Sequence, residues 1–149
     1  MIMDLLKNHP QHINTIVHWL YNEFGSEASK KFYKDIVNHS LIEGHLPITF
    51  IAIENNEVIG TVGIWRGDLL SRQDLSPWFS ALYVRKDCRS KGIGVQLQKY
   101  ALNYCKSQGY KEIYLYTDIE NYYERTGWEF MSNGYEYSGD KINIYKFNL

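Results

Sequence analysis

The residues whose types and spacing most clearly suggest chemistry are Arg89-Ser90-Lys91-Gly92-Ile93-Gly94, which directly precede a long helical pattern. A helix N-terminus presents about four backbone N–H groups without partners in the helix, together with roughly half a positive charge. Glycines at 92 and 94 let an anion approach the main chain, and Arg89 and Lys91 add full positive charges. The segment therefore predicts a site for a phosphate or diphosphate group.

Two common nucleotide-binding motifs do not fit this segment. The dinucleotide fingerprint G-x-G-x-x-G requires a third glycine at position 97, where the chain has Leu97. A P-loop requires Gly-Lys followed by Ser or Thr at the start of the helix, and that triplet is absent. Taken alone, the glycine pair slightly favours a tight turn between a strand and a helix, with the basic side chains in solvent.

Two helices are predicted ahead of this segment. Apolar residues recur at helical spacing over residues 9–24, and Gly25 ends the run. Ser26 is a suitable N-cap for a second helix, in which Phe32, Ile36 and Val37 share a face.

The rest of the chain reads mainly as strands. Asn55-Asn56 separates two β-rich runs and is a two-residue hairpin signal. An apolar stripe from Ile93 to Cys105, ended by Gly109, predicts a third long helix, and residues 120–125 predict a short one. The predicted strands cover residues 48–54, 58–65, 78–85, 111–116, 128–137 and 141–147. The run 78–85 is too apolar for a solvated face, which predicts a central strand.

These elements predict an α/β (α+β) fold, in which a mixed central sheet of about six to seven strands is flanked by helices. A length of 149 residues predicts a single domain over residues 1–149. The hydrophobic share of 44% excludes a disordered chain, and a net charge of −1 disfavours a nucleic-acid binder. No apolar run is long enough to span a bilayer, and Cys88 and Cys105 make no disulfide framework. We therefore expect a cytoplasmic protein that binds neither membrane nor nucleic acid.

Two motifs resemble those of a known family. Leu82-Tyr83-Val84 followed by Arg89-x-x-Gly92-x-Gly94 and an amphipathic helix is similar to the acetyl-CoA loop of the GCN5-related N-acetyltransferase (GNAT) superfamily. Tyr122-Tyr123-Glu124-Arg125-Thr126-Gly127-Trp128 resembles the second signature of that superfamily, which follows the fifth strand. Both motifs are in register on the predicted strand order, and the resemblance covers nearly the whole chain.

The resemblance implies a role for each matching residue. Main-chain groups of Leu82, Tyr83 and Val84 would pair with the pantetheine arm of acetyl-CoA. Tyr123 would protonate the departing thiolate. The residues whose amides would hold the pyrophosphate are Arg89, Ser90, Lys91, Gly92, Ile93, Gly94 and Val95. The implied activity is direct transfer of an acetyl group to a primary amine of a small molecule, a peptide N-terminus or a lysine. By analogy with the superfamily, the chain would also allow a homodimer.

A general base is harder to assign from the sequence. Several members of the superfamily carry a carboxylate on the fourth strand, and residues 78–82 contain none. Asp118 is the first candidate, acting through water, and capping a helix before Glu120 is an equally supported role. Glu54 and Asp68 are weaker candidates for the base. The missing carboxylate also leaves open a CoA-binding sensor or scaffold without transferase activity, which the presence of Tyr123 disfavours.

No metal site is predicted. All five histidines precede residue 46, and His9 and His12 have no evident carboxylate or cysteine partner in the sequence.

Overall fold

The structure is a computed structural model that describes all residues, 1–149. The helices are α1 (Ile13–Phe24), α2 (Lys30–His39) and α3 (Ile93–Ser107). The strands are β1 (Ile2–Leu5), β2 (Ile48–Glu54), β3 (Glu57–Trp65), β4 (Trp78–Val84), β5 (Glu112–Thr117), β6 (Glu129–Tyr135) and β7 (Lys141–Asn148). They form one seven-stranded sheet in the order β1-β2-β3-β4-β5-β7-β6. The predicted mixed sheet with flanking helices is confirmed.

The sheet is mixed because it contains a parallel pair of strands as well as antiparallel pairs. β4 pairs in parallel with β5, whereas β1 with β2, β2 with β3, β5 with β7 and β6 with β7 are antiparallel. β4 is the middle strand of the seven, as its apolar sequence predicts. β1 was not predicted, because a four-residue run is too short for a periodic signal and becomes a strand only by pairing with β2.

The chain packs into two compact units, each described by itself. The first unit comprises residues 1–64 and 81–101, and the second comprises residues 65–80 and 102–149. The single domain over residues 1–149 stays a prediction.

In the first unit, the β2–β3 hairpin turns as the sequence predicts. Asn55 and Asn56 have φ values of 52° and 63°, and Glu54 pairs with Glu57 across the turn. On β3, a Cβ at Gly60 would lie 2.9 Å from a methyl carbon of Leu97 and 3.3 Å from the Tyr83 carbonyl oxygen. This close approach fixes α3 and the end of β4 against β3.

The helices of the first unit differ from prediction in two details. α1 begins at Ile13, after a 3-10 turn over Pro10–His12, rather than at residue 9. On α2, Val37 is buried as predicted and Ile36 is half-buried, whereas Phe32 is 57% exposed and Tyr33 lies on the buried face instead. The pattern of a short helix leaves the position of its buried face ambiguous by one residue, and packing decides between them.

In the second unit, the loop between β3 and β4 is packed against one face of the sheet. The Trp78 indole donates a hydrogen bond to the Leu75 carbonyl at 2.7 Å. The apolar cluster beneath the loop consists of Leu69, Leu75, Trp78, Tyr114, Ile142 and Ile144. The predicted helix at 120–125 is a 3-10 turn over Tyr123–Thr126, which Gly127 ends with a φ of +99°.

Candidate functional site

The turn between β4 and α3 presents a run of backbone amides without protein partners. The Arg89 amide donates to the Lys86 carbonyl at 3.5 Å, and the next amide with an acceptor is that of Gln96, which donates to the Gly92 carbonyl at 3.1 Å. The intervening amides, 90–95, donate to no group of the protein. They open α3, where the helix dipole adds positive potential, so the turn can bind an anion.

The conformation of this turn depends on two left-handed residues. Ser90 has a φ of +63° and Gly92 a φ of +78°. A Cβ at Gly92 would meet no protein atom within 4 Å, so the space in front of this residue is open to a ligand. A Cβ at Gly94 would lie 3.8 Å from a methyl carbon of Val84 and 3.9 Å from one of Leu82. Both are ordinary van der Waals distances, so the helix start lies one methyl group away from these two strand residues.

The side chain of Arg89 ties the turn to the end of β4. Its Nε donates to the Val84 carbonyl at 2.8 Å, and its guanidinium carbon lies 5.3 Å from the centre of the Tyr83 ring. Trp19 of α1 packs against the same ring, with centroids 5.1 Å apart. The bond to Val84 uses one lone pair of a carbonyl that was expected to pair with a ligand, while the guanidinium stays exposed beside the open amides.

Some charged side chains around the turn are held in ion pairs within the protein, and others are available to a ligand. Arg85 is held by Glu57 at 2.9 Å and by Asp87 at 2.7 Å. These two hydrogen-bonded carboxylates raise the pKa of Arg85 above its usual range. Lys91 is exposed and has no ion-pair partner, so Lys91 and Arg89 are the cations available to a bound anion.

The predicted site residues on β4 lie next to a local distortion of the strand. Ala81 has a φ of +54°, a left-handed conformation that residues with a side chain rarely adopt inside a strand. Leu82, Tyr83 and Val84 follow it and are all half-buried. Strained backbone of this kind is often found at functional sites.

Tyr123 lies in the second unit, half-buried at the start of the 3-10 turn. Its ring packs against those of Tyr122, Trp128 and Tyr145, with centroid distances of 4.9, 6.2 and 6.4 Å. Its hydroxyl is not sealed from solvent and bonds to no protein group. Burial, and secondarily Tyr122, raise the pKa of Tyr123 to about 12. The phenol is therefore protonated at neutral pH and free to donate a hydrogen bond.

Asp118 follows β5 and is exposed. The nearby turn is closed without it, because the Ile119 amide donates to the Thr117 hydroxyl at 3.0 Å. Asp118 caps no helix, since the 3-10 turn begins five residues later, at Tyr123. The alternative role of a helix cap is therefore wrong, and the role of Asp118 as a base stays a prediction.

Asp68 has a more restricted environment than Asp118. Its Oδ2 accepts a hydrogen bond from the Ser80 hydroxyl at 2.8 Å, and Ser80 is 3% exposed on β4. Burial raises the pKa of Asp68 to about 6 against the opposing effect of the Ser80 hydrogen bond, and the Glu136 carboxylate raises it further. The sequence signal for this pair is one serine in a strand made mainly of apolar and aromatic residues, and that signal does not identify the partner of the serine.

The histidine and cysteine side chains that could do chemistry form no further site. His9 contacts the Asp4 carboxylate at 2.8 Å, so the expectation that it has no acidic partner was wrong. No group of three or more metal-ligating side chains is present, and Cys88 and Cys105 are free and buried. No helix has the length and apolar character needed to cross a membrane.

The family model for the acetyltransferase (GNAT) family matches residues 13–128. The chain belongs to the GNAT family. It is 26% identical to N-alpha-acetyltransferase 30 of Schizosaccharomyces pombe, over 93% of this chain and 92% of that protein. The match confirms the resemblance seen in the two motifs.

Solved structures share the GNAT fold over nearly the whole chain. The aminoglycoside 6'-N-acetyltransferase from Enterococcus faecium matches with a TM-score of 0.75 and 16% identity, covering 99% of this chain and 97% of that one. The structure of the NatC complex bound to Gag peptide and CoA matches with a TM-score of 0.74 and 18% identity, covering 99% and 98%. These TM-scores show a shared fold.

As a GNAT family member, the protein is an acetyl-CoA-dependent N-acetyltransferase. The predicted enzyme class and acyl donor are confirmed, and the alternative of a sensor or scaffold without transferase activity is set aside.

Proposed function

We propose that the amides of residues 89–95 bind the diphosphate of acetyl-CoA. The observation that carries this assignment is the run of unpartnered amides 90–95 at the start of α3. Arg89 and Lys91 flank these amides, and charge-assisted hydrogen bonds contribute about 1.5–3 kcal/mol each. Leu82, Tyr83 and the amide of Val84 would pair with the pantetheine arm, next to the hydrogen bond from Arg89 that links the turn to the Val84 carbonyl.

Tyr123 acts on the leaving group in this proposal. With a pKa of about 12, its phenol is a weaker acid than a thiol of pKa about 8.5, so complete proton transfer to a free thiolate is uphill by ~5 kcal/mol. The favourable contribution is a hydrogen bond from the phenol to the sulfur as negative charge develops. Tyr123 then stabilises the departing thiolate, and solvent completes its protonation.

The proposed acceptor is the α-amino group of a peptide, which attacks the thioester directly in a ternary complex. The support is the relative named N-alpha-acetyltransferase 30, whose match spans almost the full length of both chains. An α-amino group, with a pKa of about 8, also loses its proton more readily than a lysine, with a pKa of about 10.4.

The test combines calorimetry with an acceptor panel. Calorimetry should detect binding of both acetyl-CoA and CoA. Release of free thiol should then be fastest with tetrapeptides bearing a free N-terminus, compared with N-terminally blocked lysine peptides and with kanamycin. Preferred turnover of the blocked lysine peptides or of kanamycin would reject the α-amino acceptor. If neither acetyl-CoA nor CoA binds, the assignment of amides 89–95, the anion cradle, as the diphosphate site is rejected.

Two further expectations stay predictions. A cytoplasmic location is tested by cell fractionation, and a homodimer by sedimentation equilibrium.

A further inference from the structure

The loop between β3 and β4 brings a carboxylate to the central strand of the sheet. Asp68 is half-buried, and its Oδ2 accepts a hydrogen bond from the hydroxyl of Ser80 at 2.8 Å. Ser80 lies on β4, immediately before the left-handed Ala81. A serine hydroxyl has a single proton, and the other acceptor near it, the Trp78 carbonyl, is more distant at 3.4 Å. The proton therefore goes to Asp68 and orients the carboxylate at the strand.

The same strand separates Asp68 from the aromatic cluster that contains Tyr123. Phe79 and Ser80 are adjacent on β4, so their side chains point to opposite faces of the sheet. The Phe79 ring packs on Trp128, at 5.6 Å, and Trp128 packs on Tyr123, at 6.2 Å. A group that assists the leaving sulfur and a group that deprotonates the attacking amine must approach a thioester from different directions, which this arrangement provides.

We propose that Asp68 is the general base for the acceptor amine, acting directly or through one water, and that Ser80 is its positioning residue. The amine nitrogen forms a bond to the acetyl carbon as the carbon–sulfur bond breaks. The amine arrives as an ammonium and gives up two protons. The first passes to the Asp68 carboxylate and on to solvent before the attack, and the second follows the same route as the amide forms, while Tyr123 donates its hydrogen bond to the thiolate, which solvent then protonates. The inference rests on the proposed function, because it assigns the base for that reaction.

The charges that face Asp68 suit this role. Ser80 approaches it from β4, and Glu136, in the connection between β6 and β7, places a second carboxylate in its field. Two carboxylates attract an amine that arrives as a cation. Burial raises the pKa of Asp68 to about 6, so it is ionised at neutral pH and about two units more basic than an ordinary aspartate. Asp118, by contrast, is exposed and accepts no hydrogen bond.

The experiment is a pH profile of kcat/KM with acetyl-CoA and the best free-N-terminus tetrapeptide of the panel. For the unmodified enzyme, we expect kcat/KM to rise with pH through about 6. Asp68→Asn should abolish this rise with pH, which is the acidic limb of the profile. It should also lower the rate at neutral pH about 10²–10⁴-fold and leave the affinity for CoA in calorimetry unchanged. Asp74→Asn is the matched control, because Asp74 is a mostly exposed carboxylate of the same loop, paired with Arg72. It should keep the limb.

Ser80→Ala gives a second measurement that does not remove the carboxylate. The Ser80 bond favours the ionised form, so its loss should move the limb to higher pH, which a purely structural role would not do. An unchanged limb in Asp68→Asn, or its loss in Asp118→Asn instead, overturns the assignment of Asp68. If Asp68→Asn does not fold, an unshifted limb in Ser80→Ala overturns it. Absence of CoA binding by the unmodified protein refutes the proposed function, and the role of Asp68 as general base is then refuted as well.

Discussion

Replacing Gly92 with glutamate places a negative charge in the proposed diphosphate site without a steric clash with the protein. Residue 92 has a φ of +78°, and a Cβ there meets no atom within 4 Å. Gly109, just beyond the C-terminus of α3, has a φ of +89° and equally open surroundings. Gly92→Glu and Gly109→Glu therefore carry the same charge change and a similar backbone strain, about 1–2 kcal/mol each.

The expected loss of affinity follows from Coulomb's law. A carboxylate about 5 Å from one phosphate charge is repelled by ~3 kcal/mol at an effective dielectric constant of about 20. That energy corresponds to roughly a 100-fold weaker binding of CoA by Gly92→Glu. Gly109 is separated from the cradle by the 15 residues of α3, or about 22 Å, which is more than two Debye lengths at physiological salt. Gly109→Glu should therefore change the affinity less than about twofold.

Calorimetry with CoA measures these affinities, and a truncated donor separates charge repulsion from misfolding. S-acetyl-N-acetylcysteamine has the thioester but no diphosphate, so both variants should use it at the rate of the unmodified enzyme. Equal losses of CoA affinity in the two variants would refute the reasoning, because strain alone would then explain them. A matching loss with the truncated donor in Gly92→Glu would refute it as well.

Three further substitutions test the site and its support. Tyr123→Phe removes a hydrogen bond made to a developing thiolate, and kcat should fall by about 10- to 150-fold with little change in KM, whereas an unchanged kcat would exclude the role. Asp68→Asn should stabilise the fold by up to ~3 kcal/mol near pH 8. The folded protein holds the Asp68 proton up to about pH 6 and the unfolded chain only to about 4, so native stability falls as pH rises through this window. Chemical denaturation at pH 4 and pH 8 measures this gain, and an equal effect at both values contradicts it. Gly60→Ala should destabilise by about 1–3 kcal/mol, because the new Cβ would lie 3.3 Å from the Tyr83 carbonyl oxygen. Gly67→Ala, which meets nothing within 4 Å, is its control, and equal unfolding midpoints for the two would show that β3 and β4 can separate.

The parts of the fold that were predictable depend on local signals. The β2–β3 hairpin follows from two asparagines that tolerate positive φ, and α3 follows from a long apolar stripe closed by Gly109. The turn with unpartnered amides before α3 was predictable for the same reason, because glycine spacing and the start of a helix are adjacent in sequence. Its role as a diphosphate site stays a prediction. β1 and the buried face of α2 were not predictable, since each is decided by packing against distant residues.

The environment of Asp68 shows why part of the candidate site could not be predicted from the sequence. In sequence, it is one of 17 acidic residues and no motif marks it. Its surroundings exist only after Leu69 and Leu75 bury the loop against Trp78 and bring Ser80 within hydrogen-bonding distance. A sequence pattern cannot report the resulting loss of solvent around the carboxylate, which is what raises its pKa.

The bond from Arg89 to the Val84 carbonyl has a consequence for the entropy of ligand binding. Together with the ion pairs of Arg85, it holds the turn in shape before any ligand arrives. Ordering a flexible backbone requires about 1–2 kcal/mol per residue, and here folding has already met that requirement. At the proposed site, the diphosphate of acetyl-CoA would therefore meet a preorganised surface, and its affinity would not be reduced by the cost of ordering this backbone.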